Sequence, residues 1–129
     1  MIPAGLSKLI ALAKSKKASD IHICVGAPIL FRCGRDLVPS TSAIVTPALA
    51  ERMAFDMLTE EQTAVFKEHR DYDLMVSEET GRYRVNISYN DGMVGIVLRI
   101  LPEEPWSLQQ LRLPPAVETL ADCTKGLVL

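Results

Sequence analysis

Arg82-Tyr83-Arg84-Val85-Asn86-Ile87-Ser88-Tyr89-Asn90-Asp91-Gly92-Met93-Val94-Gly95-Ile96-Val97-Leu98-Arg99-Ile100-Leu101 is two alternating runs joined at Asp-Gly. Asp-Gly readily takes the positive backbone angles of a two-residue turn, and between alternating runs it is a strong hairpin signal. The spacing predicts strands Arg82–Asn90 and Met93–Leu101, with Asn90 opposite Met93. Residues two apart on a strand share a face. Tyr83, Val85, Ile87 and Tyr89 then lie with Ile100, Leu98, Ile96 and Val94 on a wholly apolar face that must pack on helices. The other face holds Arg82, Arg84, Asn86, Ser88, Gly95, Val97, Arg99 and Leu101, and there Arg84 stands opposite Arg99. Like charges directly across a strand pair repel, so a counter-charge is expected. A carboxylate would serve, and so would a phosphate, which suits arginine's forked donors. Gly95 beside Ser88 leaves one stretch flat enough for another backbone or a ligand. The plainer alternative is an exposed face with solvated arginines. A three-residue Asn90-Asp91-Gly92 loop with a bulge would shift the partners by one and separate the two arginines.

Upstream of the hairpin, Asp73–Val76 reads as a strand and Glu79-Thr80-Gly81 as its turn. Thr59-Glu60-Glu61-Gln62 is a capping box, which predicts a helix to about His69. Thr46-Pro47 is a helix start, with a capping hydroxyl before proline. Ala50, Met53, Ala54 and Met57 form that helix's apolar stripe, read as core. Asp20–Val25 and Ile29–Cys33 read as strands broken at Gly26-Ala27-Pro28. Gly34-Arg35-Asp36 reads as a turn, after which Leu37-Val38 resumes only briefly. Leu6, Leu9, Ile10 and Ala13 have the spacing of a one-faced helix that ends among Lys14–Lys17. Downstream, Ser107–Gln110 is another capping box, and Pro114-Pro115 opens a helix to about Asp122. Leu127-Val128-Leu129 is apolar and β-like. Termini usually fray in polar sequence, so the chain is expected to be cut from something longer.

A chain of 129 residues with 48% hydrophobic and 23% charged residues is one ordinary domain, neither disordered nor fibrous. A net charge of −2 with thinly spread lysines and arginines argues against nucleic acid. Lys8, Lys14, Lys16 and Lys17 are read as a solvated helix face, not a membrane-binding one. No apolar run approaches the length of a membrane span. Cys24, Cys33 and Cys123 lack metal-binding spacing and are expected to be free, mostly buried thiols in a reducing cytoplasm. A zinc or redox site from Cys24, Cys33 and His22 is the minor alternative.

Five segments in order resemble one family, the ATPases of secretion and type IV pili. Ala18-Ser19-Asp20-Ile21-His22-Ile23 resembles its ASDLHL signature, and Gly26–Arg32 resembles the strand that follows. Arg82–Asn86 resembles RFRVN, and Val97–Pro102 resembles VxRxIP. Leu108–Leu129 resembles the segment ending in RGLVL, which in that family runs straight into the Walker A loop. The small residues after His22, with no Glu-Pro, are most similar to the twitching or retraction ATPases, the PilT family. Two departures stand out. Gly92 occupies the place of an arginine in the family's QNRG stretch, and Arg32-Cys33-Gly34-Arg35 replaces the RVDG turn.

The resemblance implies a PAS-like α+β domain over residues 1–105, a mostly antiparallel sheet of about six strands with helices packed on it. Residues 106–129 would be the linker and start of a RecA-like ATPase domain that binds ATP and Mg. It implies a homohexamer whose neighbouring subunits and catalytic domains contact this one, at the cytoplasmic side of the inner membrane beside a pilus platform protein. Arg84 and Arg99, with Arg82 as a third, are the positions matched to arginines that reach nucleotide phosphates. This chain alone, without a P-loop, is expected to be inactive. Asp20 and His22 share a strand face and are expected to form a structural hydrogen-bonded pair at a domain or subunit contact. Trp106 is expected to be a hinge or interface anchor, with core packing as the alternative. Two rival functions stand beside this one. The first is the same domain of a pilus-assembly or type II secretion ATPase. The second is a stand-alone PAS-type ligand module, with a cavity lined by the apolar hairpin face and a natural end near Leu129.

Overall fold

The computed structural model describes residues 2–127. Helix α1 (Ala4–Ser15) leads to strands β1 (Asp20–Ile23), β2 (Pro28–Cys33) and β3 (Asp36–Ile44). Helices α2 (Pro47–Phe55) and α3 (Glu60–His69) follow, then β4 (Asp71–Glu78), β5 (Gly81–Asn90), β6 (Met93–Leu101) and a short α4 (Ala116–Ala121). The strands form one six-stranded sheet in the order β3-β2-β1-β6-β5-β4, antiparallel at every pair. Each half is a meander of consecutive strands. The α2–α3 connection carries the chain from one edge to the other. The class is the PAS-like α+β arrangement that the sequence implied.

The hairpin has the two-residue turn and the expected register. Asp91 and Gly92 take φ 51° and 78°, Asn90 pairs with Met93, and Arg84 pairs with Arg99. Its apolar face is the centre of the core: Tyr83, Val85, Ile87 and Leu98 are fully buried. Helices α1, α2 and α3 cover this face through Leu6, Ile10, Ala50, Ala54 and Phe66, all at most 3% exposed. Phe66 stacks on Tyr89 with ring centroids 4.9 Å apart. The Tyr83 hydroxyl, brought into the core, donates to the Thr80 carbonyl at 2.8 Å, as a buried polar group requires. The face is filled by the helices, so it does not line the open ligand cavity of the stand-alone module.

The helix starts follow their caps. Thr46 Oγ1 accepts from the Leu49 amide at 3.3 Å. Thr59 and Gln62 make both bonds of the capping box, at 3.2 and 3.0 Å. Two local expectations are corrected. Strand β3 runs nine residues instead of resuming briefly; as an edge strand it tolerates Pro39, which has no amide to donate. Strand β4 begins at Asp71 and runs to Glu78, longer than Asp73–Val76. Ser107 and Gln110 form the two capping-box bonds at 3.2 and 2.8 Å, yet only a turn follows. No residue from Pro102 to Leu127 is buried, so this segment packs little on the sheet. Val128 and Leu129 of the apolar terminal run lie outside the described residues.

Candidate functional site

All three larger helices pack on one face of the sheet, so the other face is open, and its charges gather in one row. Asp20 pairs with Arg32 on one side and with Arg99 on the other; Arg99 in turn faces Arg84. The row Arg32–Asp20–Arg99–Arg84 therefore crosses four neighbouring strands. Asp73 on β4 closes it diagonally. The carboxylate expected to offset the two arginines is thus present twice. Arg99 Nε donates to Asp20 Oδ1 at 2.7 Å, and Arg84 Nη2 donates to Asp73 Oδ2 at 3.1 Å.

The two aspartates differ in environment. Asp73 keeps 49% of its side chain exposed. Asp20 is 3% exposed and is the buried charged residue among the described ones. Its second oxygen, Oδ2, accepts from Ser19 Oγ at 2.7 Å and lies 3.9 Å from Arg32 Nε. Burial alone would push the Asp20 carboxyl up. The hydrogen bonds from Arg99 and Ser19, and the Arg99 charge, outweigh that and hold it below the ordinary 3.8.

Arg84 and Arg99 remain open to solvent, with side chains 60% and 62% exposed. With Asp20, Asp73, Asn86 and Val97 they line a shallow cleft of about 240 Å³. The aspartates take one nitrogen from each guanidinium, which leaves further N–H donors for an oxyanion in the cleft. Asn86 lies beside them and donates to Asp71 at 3.2 Å. Arg82 does not line the cleft; its Nη2 donates to the Pro102 carbonyl at 3.2 Å, at the far end of the strand.

His22 shares the open face with Asp20, but no hydrogen bond joins them. The expected pair is corrected: Arg99 and Ser19 have taken the carboxylate, and the buried His22 Nε2 has no partner. Burial first, then the nearby Arg32 charge, lowers the His22 pKa from 6.5; Asp20 opposes this and Arg99 adds to it. Trp106 is 60% exposed and does not pack in the core of the described residues. It borders a surface hollow with Lys14, Lys17, Ser19 and Pro102. The cysteines are free, but Cys24 and Cys123 are exposed, not buried. Cys24 follows β1 and Cys33 ends β2, at opposite ends of an antiparallel pair. No group of three His, Cys, Asp or Glu among the described residues could hold a metal, and no helix among them is long and apolar enough to cross a membrane.

Sequence reasoning found both arginines from the hairpin alone. It missed that Asp20 and Asp73 hold them, and that Ser19 and Arg32 in turn contact Asp20. Asp73 was within reach, because the Glu79-Thr80 turn fixes the β4–β5 register. Asp20 was not, because it meets Arg99 across 79 positions of chain.

No protein-family model matches the chain. Among characterised proteins it is 29% identical over 95% of its length to the type IV pilus ATPase PilU of Pseudomonas aeruginosa, covering 32% of that protein. It is 23% identical over 96% of its length to the type IV pilus retraction ATPase PilT of the same organism, covering 36% of it. The chain thus spans about a third of the length of these relatives. Among solved structures, the pilus retraction motor PilT with bound ADP aligns over 88% of this chain and 34% of its own, with a TM-score of 0.74 and 28% identity. The Legionella pneumophila ATPase DotB shares the fold at a TM-score of 0.73 and 23% identity, over 98% of this chain and 37% of its own. Along nearly its whole length and in its fold, this chain is similar to the N-terminal domain of the type IV pilus ATPases PilT and PilU.

Proposed function

We propose that this chain is the N-terminal domain of an ATP-driven type IV pilus retraction motor, and that Arg84 and Arg99 reach the phosphates of ATP held by a catalytic domain. The carrying observation is their arrangement: directly opposed on the open face, each tethered by one aspartate, with the remaining donors facing a cleft. An isolated pair of like charges would be costly, and a phosphate brought to it gains from both. Positioned arginines are worth roughly a thousandfold or more in phosphoryl transfer. Arg82 is a weaker third candidate, since its guanidinium is turned toward Pro102.

The catalytic domain would follow from about residue 106 and supply the P-loop and the magnesium ligands; a metal site does not fit the described residues of this chain. The working assembly is a homohexamer in which this domain meets neighbouring subunits, at the cytoplasmic face of the inner membrane beside the platform protein. The exposed Trp106 and the exposed Leu108, Leu111 and Leu113 suit a segment that packs against such a neighbour. The chain by itself does not hydrolyse ATP. The test is Arg99→Ala in the full-length protein: ATPase activity should fall with the fold intact, and wild-type turnover would remove the arginine role.

A further inference from the structure

We infer that Asp20 is a positioning residue, which holds the Arg99 guanidinium side-on at Nε so that its two terminal amino groups face the cleft. This rests on the phosphate role proposed for Arg99.

Three observations carry it. First, Asp20 is 3% exposed on a face that is otherwise open, while its counterpart Asp73 is an ordinary half-exposed partner. A buried ion pair is weak evidence for stability, because desolvation offsets the attraction, so orientation is the better account of a buried carboxylate here. Second, both oxygens of Asp20 are committed. Oδ1 takes Arg99 Nε at 2.7 Å, and Oδ2 takes Ser19 Oγ at 2.7 Å with Arg32 3.9 Å away. Ser19 is itself fixed: its amide donates to the Arg32 carbonyl and its carbonyl accepts from the Ile100 amide, both at 2.9 Å. The carboxylate therefore has one orientation. Third, the contact is made at Nε. Arg84 is held at a terminal nitrogen, which leaves its head free to swing. Arg99 is held near the root of its fork, and the side chain still keeps 62% of its surface in solvent. A guanidinium fixed there presents its terminal donors in one direction, which is what a phosphate contact made only in the transition state requires.

The experiment measures steady-state ATP hydrolysis by the full-length protein with Asp20→Ala, Asp20→Asn, Arg99→Ala and the Asp20→Ala/Arg99→Ala double substitution. Circular dichroism and thermal melting confirm the fold. Asp20→Ala should lower kcat by about ten- to a hundredfold, the usual size of a misplacement effect, with KM for ATP little changed. Asp20→Asn keeps an acceptor for Nε and should recover part of the loss. On the Arg99→Ala background Asp20→Ala should cost nothing more. If Arg99→Ala is active as wild type, the phosphate role of Arg99 itself falls. If Arg99→Ala is impaired but folded Asp20→Ala is not, the arginine role stands and Asp20 is not its positioner. An equal loss from Asp20→Ala with and without Arg99 also overturns the inference, since the role is then merely structural. Should Asp20→Ala fail to fold, Asp20→Asn alone and with Arg99→Ala decides by the same criteria.

Discussion

Arg84 and Arg99 face each other across the β5–β6 pair, and each is drawn away from the other by an aspartate on its own outer side: Asp73 at 3.1 Å and Asp20 at 2.7 Å. The repulsion is thus offset without being cancelled in the cleft between them. Both cations keep outward donors, and the two anchors differ in burial.

The anchors should differ in their effect on stability. Asp73→Ala breaks a solvent-exposed pair and should cost at most about 1 kcal/mol. Asp20→Ala removes the shared acceptor of Ser19 and Arg99 and should cost on the order of 1–3 kcal/mol. Urea denaturation of the 129-residue chain measures both. Equal losses would contradict the contrast in burial.

Acidification should destabilise the fold through His22 and Asp20, whose pKa values are both lowered. Above 6.5, His22 is neutral in both states and its contribution is fully present. Below that pH the unfolded chain takes up the proton first, so stability is lost as pH falls through the folded value. Protonation would place a third cation beside Arg32 and Arg99, with Asp20 as the opposing anion. Melting temperature should therefore decline below pH 6.5, and His22→Leu should flatten that part of the curve. Asp20 adds a further loss at more acid pH, below its ordinary 3.8.

The two faces of the sheet should respond unequally to truncation. Leu98→Ala opens a cavity under the helices and should cost about 2–5 kcal/mol. Met75, 60% exposed on the open face, should change stability by no more than about 0.5 kcal/mol when cut to alanine. Denaturation midpoints of the two variants provide the check.

The two capping boxes should also part company. Thr59→Ala removes the cap of a packed helix and should cost about 0.5–2 kcal/mol. Ser107→Ala touches a box with no helix behind it and should leave the melting temperature unchanged. A loss at Ser107 comparable to that at Thr59 would mean that the segment is packed after all.

The same boxes show what a sequence can reveal. A cap is a local signal, legible at Thr59 and at Ser107 alike; Phe66 anchors the helix after the first in the core, and no described side chain after the second is buried. The Arg84–Arg99 opposition was legible because Asp91-Gly92 fixes the register within one hairpin. Strand β3 was legible only in its first residues, because Pro39-Ser40-Thr41-Ser42 lacks the alternation of a half-buried strand and lies at an edge. The exposure of Cys24 and Cys123 carried no local mark. Asp20 looked like a partner for His22 because they are two residues apart; its true partner comes from the pairing of β1 with β6 at the middle of the sheet, between strands far apart in the chain.

That pairing also orders the folding of the chain. Strands β1–β3 and β4–β6 are each sequential meanders that can close through short turns, whereas β1 meets β6 only by bringing together segments some 79 residues apart. Loop closure of that span is the slow entropic step. The four-residue β1 that forms the seam is also the shortest strand. Amide protons along β1 should therefore exchange with solvent sooner than those between β5 and β6, and the halves of the sheet should separate first along the line where Asp20 grips Arg99.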